Sequence, residues 1–284
     1  MIRIFGTVFA GLMGLAFGSF LNVCLSRWPA GESVVAPRSH CRGCGHTLAW
    51  WENVPLISWL GLRGQCRVCG GWIGWRYPLV ELAVGGLWAM VAWRSYVAFF
   101  PLEFAFGLMI LNWVLVGLAV LDAEHLWLPD AVTLSATALG FVWWFIQGEQ
   151  VGWALHIPSS PLEDAKNVGA RLLAIAAAAG LILLIRWVYW LIRRREGMGL
   201  GDAKLMAMLG AWLGLPGALL AFGLGVVLGA WVAVVLLAVP SGGKGTGNWA
   251  LKKLPLGTFL CIGGIVSSLW GQPIIAAYMR WAGF

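Results

Sequence analysis

Two groups of residues in this 284-residue chain have types and spacings that could do chemistry. The first centres on Asp202 in Gly197-Met-Gly-Leu-Gly-Asp202, where an apolar run resumes. A carboxylate at the edge of a membrane segment is costly and usually has a function. A second carboxylate, Asp122, closes another apolar run eighty residues earlier. Two carboxylates brought close cannot both ionise cheaply, so near neutral pH one holds a proton while the other accepts one. Such a pair can activate a water and protonate a leaving amine without a covalent intermediate. Gly199 and Gly201 would let a substrate backbone lie beside Asp202. Lys204 is either a positioning group or, more simply, an anchor at the membrane face. Glu124 and Asp130 are placed as favourably as Asp122, and the physics of the sequence does not rank the three.

The second group is Cys41-Arg-Gly-Cys44 and, after 21 intervening residues, Cys66-Arg-Val-Cys69, each pair followed by a glycine. Paired CxxC knuckles present two sulfurs each on tight turns and suit tetrahedral coordination of Zn²⁺. Two disulfides or a redox pair are the alternatives. The surrounding fifty or so residues hold few aliphatic side chains and need such a staple to fold. His40 and His46 flank the first knuckle and are expected to stand outside the ligand set.

The elements that must position these groups are apolar. The chain is 60% hydrophobic and 11% charged, with a mean hydropathy of +0.82. Ordinary soluble domains carry about 25% charged residues. Continuous apolar runs recur along the chain, and about 20 residues suffice to cross a bilayer core. The expected class is therefore an all-α polytopic membrane protein. About eight spans are expected: 4–24, 79–93, 104–121, 131–146, 168–192, 205–215, 218–239 and 256–279. The expected division is a first transmembrane helix (1–25), a cysteine-rich zinc domain (26–77) and a seven-helix membrane core (78–284). Glycines four apart in the first span, Gly14 and Gly18, are expected to serve close helix packing. Cys24 and Cys261 lie in apolar runs and read as packing residues. The run after Asp202 is short before Pro216, so either the helix continues through the proline or the Gly-Asp end is sunk below the headgroups.

The formal net charge is +7. In so apolar a chain this charge orients helices rather than binding nucleic acid. With eight spans, thirteen of the nineteen basic residues fall in loops on one side, the side of the cysteine-rich region, Asp122 and Asp202, and Arg186 near the end of its span on that side makes fourteen. Basic loops stay cytoplasmic, where thiols stay reduced, and this weakens the disulfide alternative.

The motifs together resemble the type 4 prepilin peptidase family, bifunctional leader peptidases and N-methyltransferases of type IV pilus and type II secretion systems. The resemblance is carried by Gly18-Ser-Phe-Leu-Asn-Val23, Pro37-Arg-Ser-His-Cys41, both knuckles, Glu52-Asn-Val-Pro-Leu56 and Arg76-Tyr-Pro-Leu-Val-Glu81. It continues through Asp122 to Leu128-Pro-Asp130 and the segment ending at Asp202. It implies a GxGD-type aspartic protease of the bacterial inner membrane with Asp122 and Asp202 as its catalytic pair. The implied substrates are prepilins or pseudopilins, cleaved after a glycine, with the new N-terminus methylated from S-adenosylmethionine. Under that resemblance Glu124 and Asp130 become candidates for attracting a basic leader. One departure stands out: the family's Pro-Phe-Gly-Pro before the last span is here Pro255-Leu-Gly-Thr258, which implies a retained turn with an altered contact. No glycine-rich loop marks a methyl-donor site. The competing classes are a proton-coupled transporter using the two acids and an inactive zinc-knuckle membrane scaffold.

Overall fold

The computed structural model describes residues 1–98, 102–155, 161–195, 198–238 and 254–283. Gly197 and the stretches 156–160 and 239–253 lie outside them. The described residues form eight helices, α1 (Ile2–Arg27), α2 (Ile57–Gly61), α3 (Arg76–Ala98), α4 (Leu102–His125), α5 (Asp130–Leu155), α6 (Pro161–Arg193), α7 (Leu200–Ala238) and α8 (Leu256–Trp281), with two short 3-10 turns before α2. Strands are absent among these residues beyond two isolated bridges. Among the described residues five helices, α1, α4, α6, α7 and α8, are long and apolar enough to cross a membrane by length and composition. The class is the expected all-α polytopic one. The runs expected at 205–215 and 218–239 fall on one element, α7, which is broken at Gly214.

Residues Met1–Gly117 form one compact unit and Leu118–Phe284 a second. In the first, α1 lies along α3 with almost no space between the backbones. A Cβ on Gly18 would stand 2.8 Å from the Glu81 Cα, and one on Gly14 would stand 2.9 Å from the Gly85 Cα. Both glycines thus do the packing work that their spacing suggested. Two indoles fasten this pair to α4, Trp88 donating to the Met109 carbonyl at 3.0 Å and Trp113 to the Phe17 carbonyl at 3.0 Å. Where the helices leave the apolar layer, Asn22 Nδ2 donates to the Tyr77 carbonyl at 2.9 Å. Glu81 accepts the Leu56 N–H at 2.8 Å, which ties the cysteine-rich segment to the start of α3.

In the second unit α7 packs against α5, α6 and α8. Its contact with α8 is again glycine-mediated: a Cβ on Gly225 would stand 3.1 Å from the Leu260 Cα. The helix breaks at Gly214, whose φ of 71° and ψ of 176° are open almost only to glycine. The break falls two residues before Pro216 because a proline cannot donate to the carbonyl four residues back but fits the first turn of a new helical stretch. Carbonyls freed at the break meet a cation: Arg171 Nη1 lies 3.5 Å from the Gly210 oxygen and 3.4 Å from the Ala211 oxygen. The same guanidinium sits 4.6 Å from the centroid of the Trp144 ring. A positive group at a helix C-terminus is favourable, so Arg171 stabilises the break rather than merely flanking it.

Candidate aspartate site and metal centre

Asp202 stands in the first turn of α7, buried to 8% exposure. Its Oδ2 accepts the N–H of Gly199, the residue before the helix, at 3.2 Å. An acid reaching back from the third helical position to the capping residue is half of a capping box. Asp122 stands in the last turn of α4 and is buried to 6%. Its Oδ2 accepts the Thr258 N–H at 2.7 Å and lies 3.2 Å from the Thr258 hydroxyl. Thr258 is the third residue of α8, so its N–H belongs to the free donors of a helix start. Each carboxylate therefore meets the positive end of a helix dipole, which favours negative charge in a buried place.

The two acids share an environment. Asp122 and Asp202 are near enough to repel each other electrostatically, and the buried thiol of Cys261, one turn into α8, lies in the field of both. Leu128 packs between them. A Cβ on Gly201 would stand 3.2 Å from the Leu128 Cβ, and one on Gly257 would stand 3.0 Å from its Cδ1 and 2.9 Å from the Asp122 Cγ. This revises the reading of Gly201 as room for a substrate strand, because the Leu128 side chain fills that room. Gly199 has only its own turn nearby, a Cβ there standing 3.5 Å from Asp202 Oδ2.

The three acids that sequence could not rank differ plainly in structure. Glu124 is exposed and faces His125 at 3.8 Å. Asp130 is the first residue of α5, exposed, and paired with Lys204 Nζ at 2.6 Å. Lys204 thus ties the first turns of α5 and α7 together, and both partners remain open to water. Only Asp122 of the three is withdrawn from solvent beside Asp202. Gly257 and Thr258 were not legible as neighbours of Asp122, because 136 residues separate Thr258 from it. The usable signal was a helix start, Pro255 followed by a glycine and an apolar run.

The four cysteines of the knuckles converge. Their sulfurs all lie within 4.8 Å of one another, with Cys41 to Cys69 at 3.8 Å and Cys44 to Cys66 at 4.0 Å. Four thiolates about a zinc ion with Zn–S bonds of about 2.3 Å would stand roughly 3.8 Å apart, so the set fits such an ion. All six cysteines of the chain are free thiols, which sets aside the disulfide alternative. The two knuckles repeat one backbone design. Cys41 N–H donates to the His46 carbonyl and Cys66 N–H to the Gly71 carbonyl, both at 2.8 Å, while Gly45 and Gly70 turn with φ of 73° and 68°. Backbone N–H groups of Cys69 and Val68 aimed at the Cys66 sulfur push its pKa down to about 6, while Cys44 in the same cluster is pushed up to about 11 by burial and the other three thiols.

Glu52 locks the knuckles to each other. It accepts the Ala49 N–H at 2.7 Å, meets His46 Nε2 at 3.2 Å beyond the first knuckle, and pairs with Arg67 Nε at 3.2 Å inside the second. His46 is thereby a partner of Glu52 rather than a ligand. Beside this assembly the first unit has a cavity of about 610 Å³ whose lining includes Asn22, Arg27, Glu52, Trp59, Tyr77 and Glu81.

Comparison with known proteins gives a consistent picture. Residues 12–95 match the bacterial peptidase A24 N-terminal domain, and residues 109–234 match the type IV leader peptidase family. A protein of Stutzerimonas stutzeri named prepilin leader peptidase/N-methyltransferase is 35% identical over 95% of this chain and 93% of its own length. One of Pseudomonas aeruginosa with the same name is 35% identical over 96% and 93%. A third, of Myxococcus xanthus, is 38% identical over 85% of this chain and 66% of its own length. No solved structure matches.

Proposed function

The chain belongs to the type IV leader peptidase family, and from that premise we propose that it cleaves the leader from prepilins or pseudopilins and methylates the new N-terminus. The observation that carries the peptidase half is the burial of both Asp122 and Asp202, Asp202 in the first turn of α7 and Asp122 against the first turn of α8, within reach of one another's field. One carboxylate is ionised and the other protonated. The ionised member takes a proton from water as the water oxygen bonds to the scissile carbonyl carbon, and the acid gives its proton to the carbonyl oxygen. On collapse the C–N bond breaks, the first carboxyl passes its proton to the leaving nitrogen, and the diol returns one to the second. The cleavage point after a glycine, at the junction of a basic leader and an apolar helix, suits a site held at the edge of apolar helices. Asp130 and Glu124, exposed near this site, supply negative charge toward a basic leader.

Zinc in the four-cysteine cluster is the proposed structural metal, on the fit of the sulfur spacing. The methyl donor is proposed to be S-adenosylmethionine, which supplies an electrophilic methyl group for transfer to an amine. The cavity beside the knuckles fits it chemically. Its lining mixes acidic, basic and aromatic side chains, among them Glu81, Arg27 and Trp59, the classes that a sulfonium, a carboxylate and a purine call for. The proposed setting is the bacterial inner membrane with knuckles and aspartates facing the cytoplasm. An impermeant maleimide should then label chelator-treated knuckle cysteines in inverted vesicles and not in intact spheroplasts.

The deciding experiment is a prepilin cleavage assay in membranes. Asp122→Ala and Asp202→Ala are expected to abolish cleavage, and retained cleavage in either would contradict the proposal. Loss of methylation with cleavage intact in Cys44→Ser would assign the metal region to the transfer reaction. The transporter reading lacks support here, since both acids sit at helix ends rather than midway along spans.

A further inference from the structure

The two carboxylates are not equivalent, and the difference lies in Thr258. We propose that Thr258 is a positioning residue that makes Asp122 the ionised, water-activating member of the pair and leaves Asp202 as the acid. This rests on the dyad reading above and assigns its roles.

The Thr258 N–H meets Asp122 Oδ2 at 2.7 Å, in the short range of charge-assisted bonds. A backbone N–H can only donate, so it favours a carboxylate oxygen carrying no proton. The hydroxyl has a single proton placed between two acceptors, the Ala119 carbonyl at 3.0 Å and Asp122 Oδ2 at 3.2 Å. It therefore bridges α8 to the last turn of α4 and fixes the carboxyl plane. Both contacts fall on Oδ2, which leaves Oδ1 as the oxygen that accepts the water's proton. Asp202 receives a weaker claim, one N–H from Gly199 at 3.2 Å. Gly257 closes the arrangement by letting the α8 backbone reach the carboxyl carbon.

Other groups facing the pair do not reverse this assignment. From α8 comes the buried Cys261, from α7 Asp202 itself, and from the starts of α5 and α7 the mutually paired Asp130 and Lys204. Glu124 and His125 follow Asp122 on its own helix and face each other.

The step is then directional. Asp122 Oδ1 takes a proton from water, the water oxygen bonds to the carbonyl carbon, and the Asp202 proton passes to the carbonyl oxygen. Asp122 afterwards delivers its proton to the leaving nitrogen as the C–N bond breaks, and one hydroxyl of the diol returns a proton to Asp202 as the carbonyl re-forms.

The test is the pH dependence of kcat and kcat/KM for prepilin cleavage by purified full-length protein. Thr258→Val keeps the N–H and loses the hydroxyl. Thr258→Pro loses both donors, at a first-turn position where proline is compatible with the helix. Removing donors to an anion should move the acidic limb of the profile to higher pH. For Thr258→Pro, which places at this position the residue the family carries, the expected shift of the acidic limb is about one pH unit, with KM nearly unchanged. Thr258→Val should shift less, and Thr258→Ser should restore the wild-type limb. Wild-type acidic limbs in both Thr258→Val and Thr258→Pro would overturn the proposal. If Thr258→Pro does not fold, the contrast between Thr258→Val and Thr258→Ser decides: identical profiles overturn it. Cleavage surviving Asp122→Ala would instead defeat the dyad reading itself.

Discussion

Asp122 meets the first turn of α8 at a point where that helix has no side chain, and the fit is tight. A Cβ on Gly257 would stand 2.9 Å from the Asp122 carboxyl carbon, so Gly257→Ala must push the carboxyl away from its Thr258 donors. Misplacing a reacting group by about 1 Å can cost on the order of a hundredfold in rate. Gly257→Ala is therefore expected to lower cleavage by about that factor, while Gly223→Ala, whose added Cβ meets nothing within 4 Å, leaves the rate near wild type. Prepilin cleavage rates of the two variants, at matched expression, check this. At this scale the sequence showed half of the site. Asp202 was visible because a glycine-flanked acid interrupts an apolar run. By position alone Asp122 could not be told from Glu124 and Asp130, since all three lie within nine residues and only burial separates them; the family resemblance made the choice. Gly257, Thr258 and Leu128 were hidden, because their role is to touch residues far away in the chain or to fill the space between helices.

At the scale of elements, the break in α7 and the lock on the knuckles carry most of the argument. Gly214 adopts a backbone conformation that costs other residues about 1–3 kcal/mol. Gly214→Ala should lower thermal stability in detergent by that order, whereas Gly180→Ala, in an open helical position, should not. Equal melting temperatures would show that the break is not held by its glycine. The sequence located this break within two residues but attributed it to Pro216. The proline dictates that a helix must begin anew, and the glycine is where the chain can bend. Glu52 is the second case. Its carboxyl is held below the ordinary value of 4.5, first by the Ala49 N–H and then by His46 and Arg67. A depressed acid contributes stability that is present above its unfolded pKa and lost as pH falls through the lower folded one. The wild type should thus exceed Glu52→Gln in stability at neutral pH, with the gap shrinking as pH falls below about 4.5. Comparison of the two, rather than wild type alone, separates this from proton-driven release of a metal. A constant gap would remove Glu52 from the account. The knuckle spacing was fully legible in the sequence, while the role of Glu52 was not, since its partners come from both knuckles at once.

For the whole molecule, continuous apolar runs announced a helical membrane protein, and they did so from length and composition alone. They leave open whether 205–215 and 218–239 are two spans or one broken helix, because hydropathy cannot distinguish two helices from one helix with an internal break. The two compact units separate the two candidate sites. Residues Met1–Gly117 contain the cysteine cluster and its cavity, and residues Leu118–Phe284 contain Asp122, Asp202 and Thr258. All the residues proposed for peptide hydrolysis thus come from α4, α7 and α8, in one unit. The most direct measurement is single-turnover prepilin cleavage by the wild type, Asp122→Asn, Asp202→Asn and the double variant. Residues that act as one unit lose their effect together, not in sequence. Each single substitution is predicted to lower the rate by at least about a thousandfold, with the double variant no slower than either. A single variant keeping more than a few per cent of wild-type rate, or a double variant slower by the product of two partial losses, would contradict a shared-water pair.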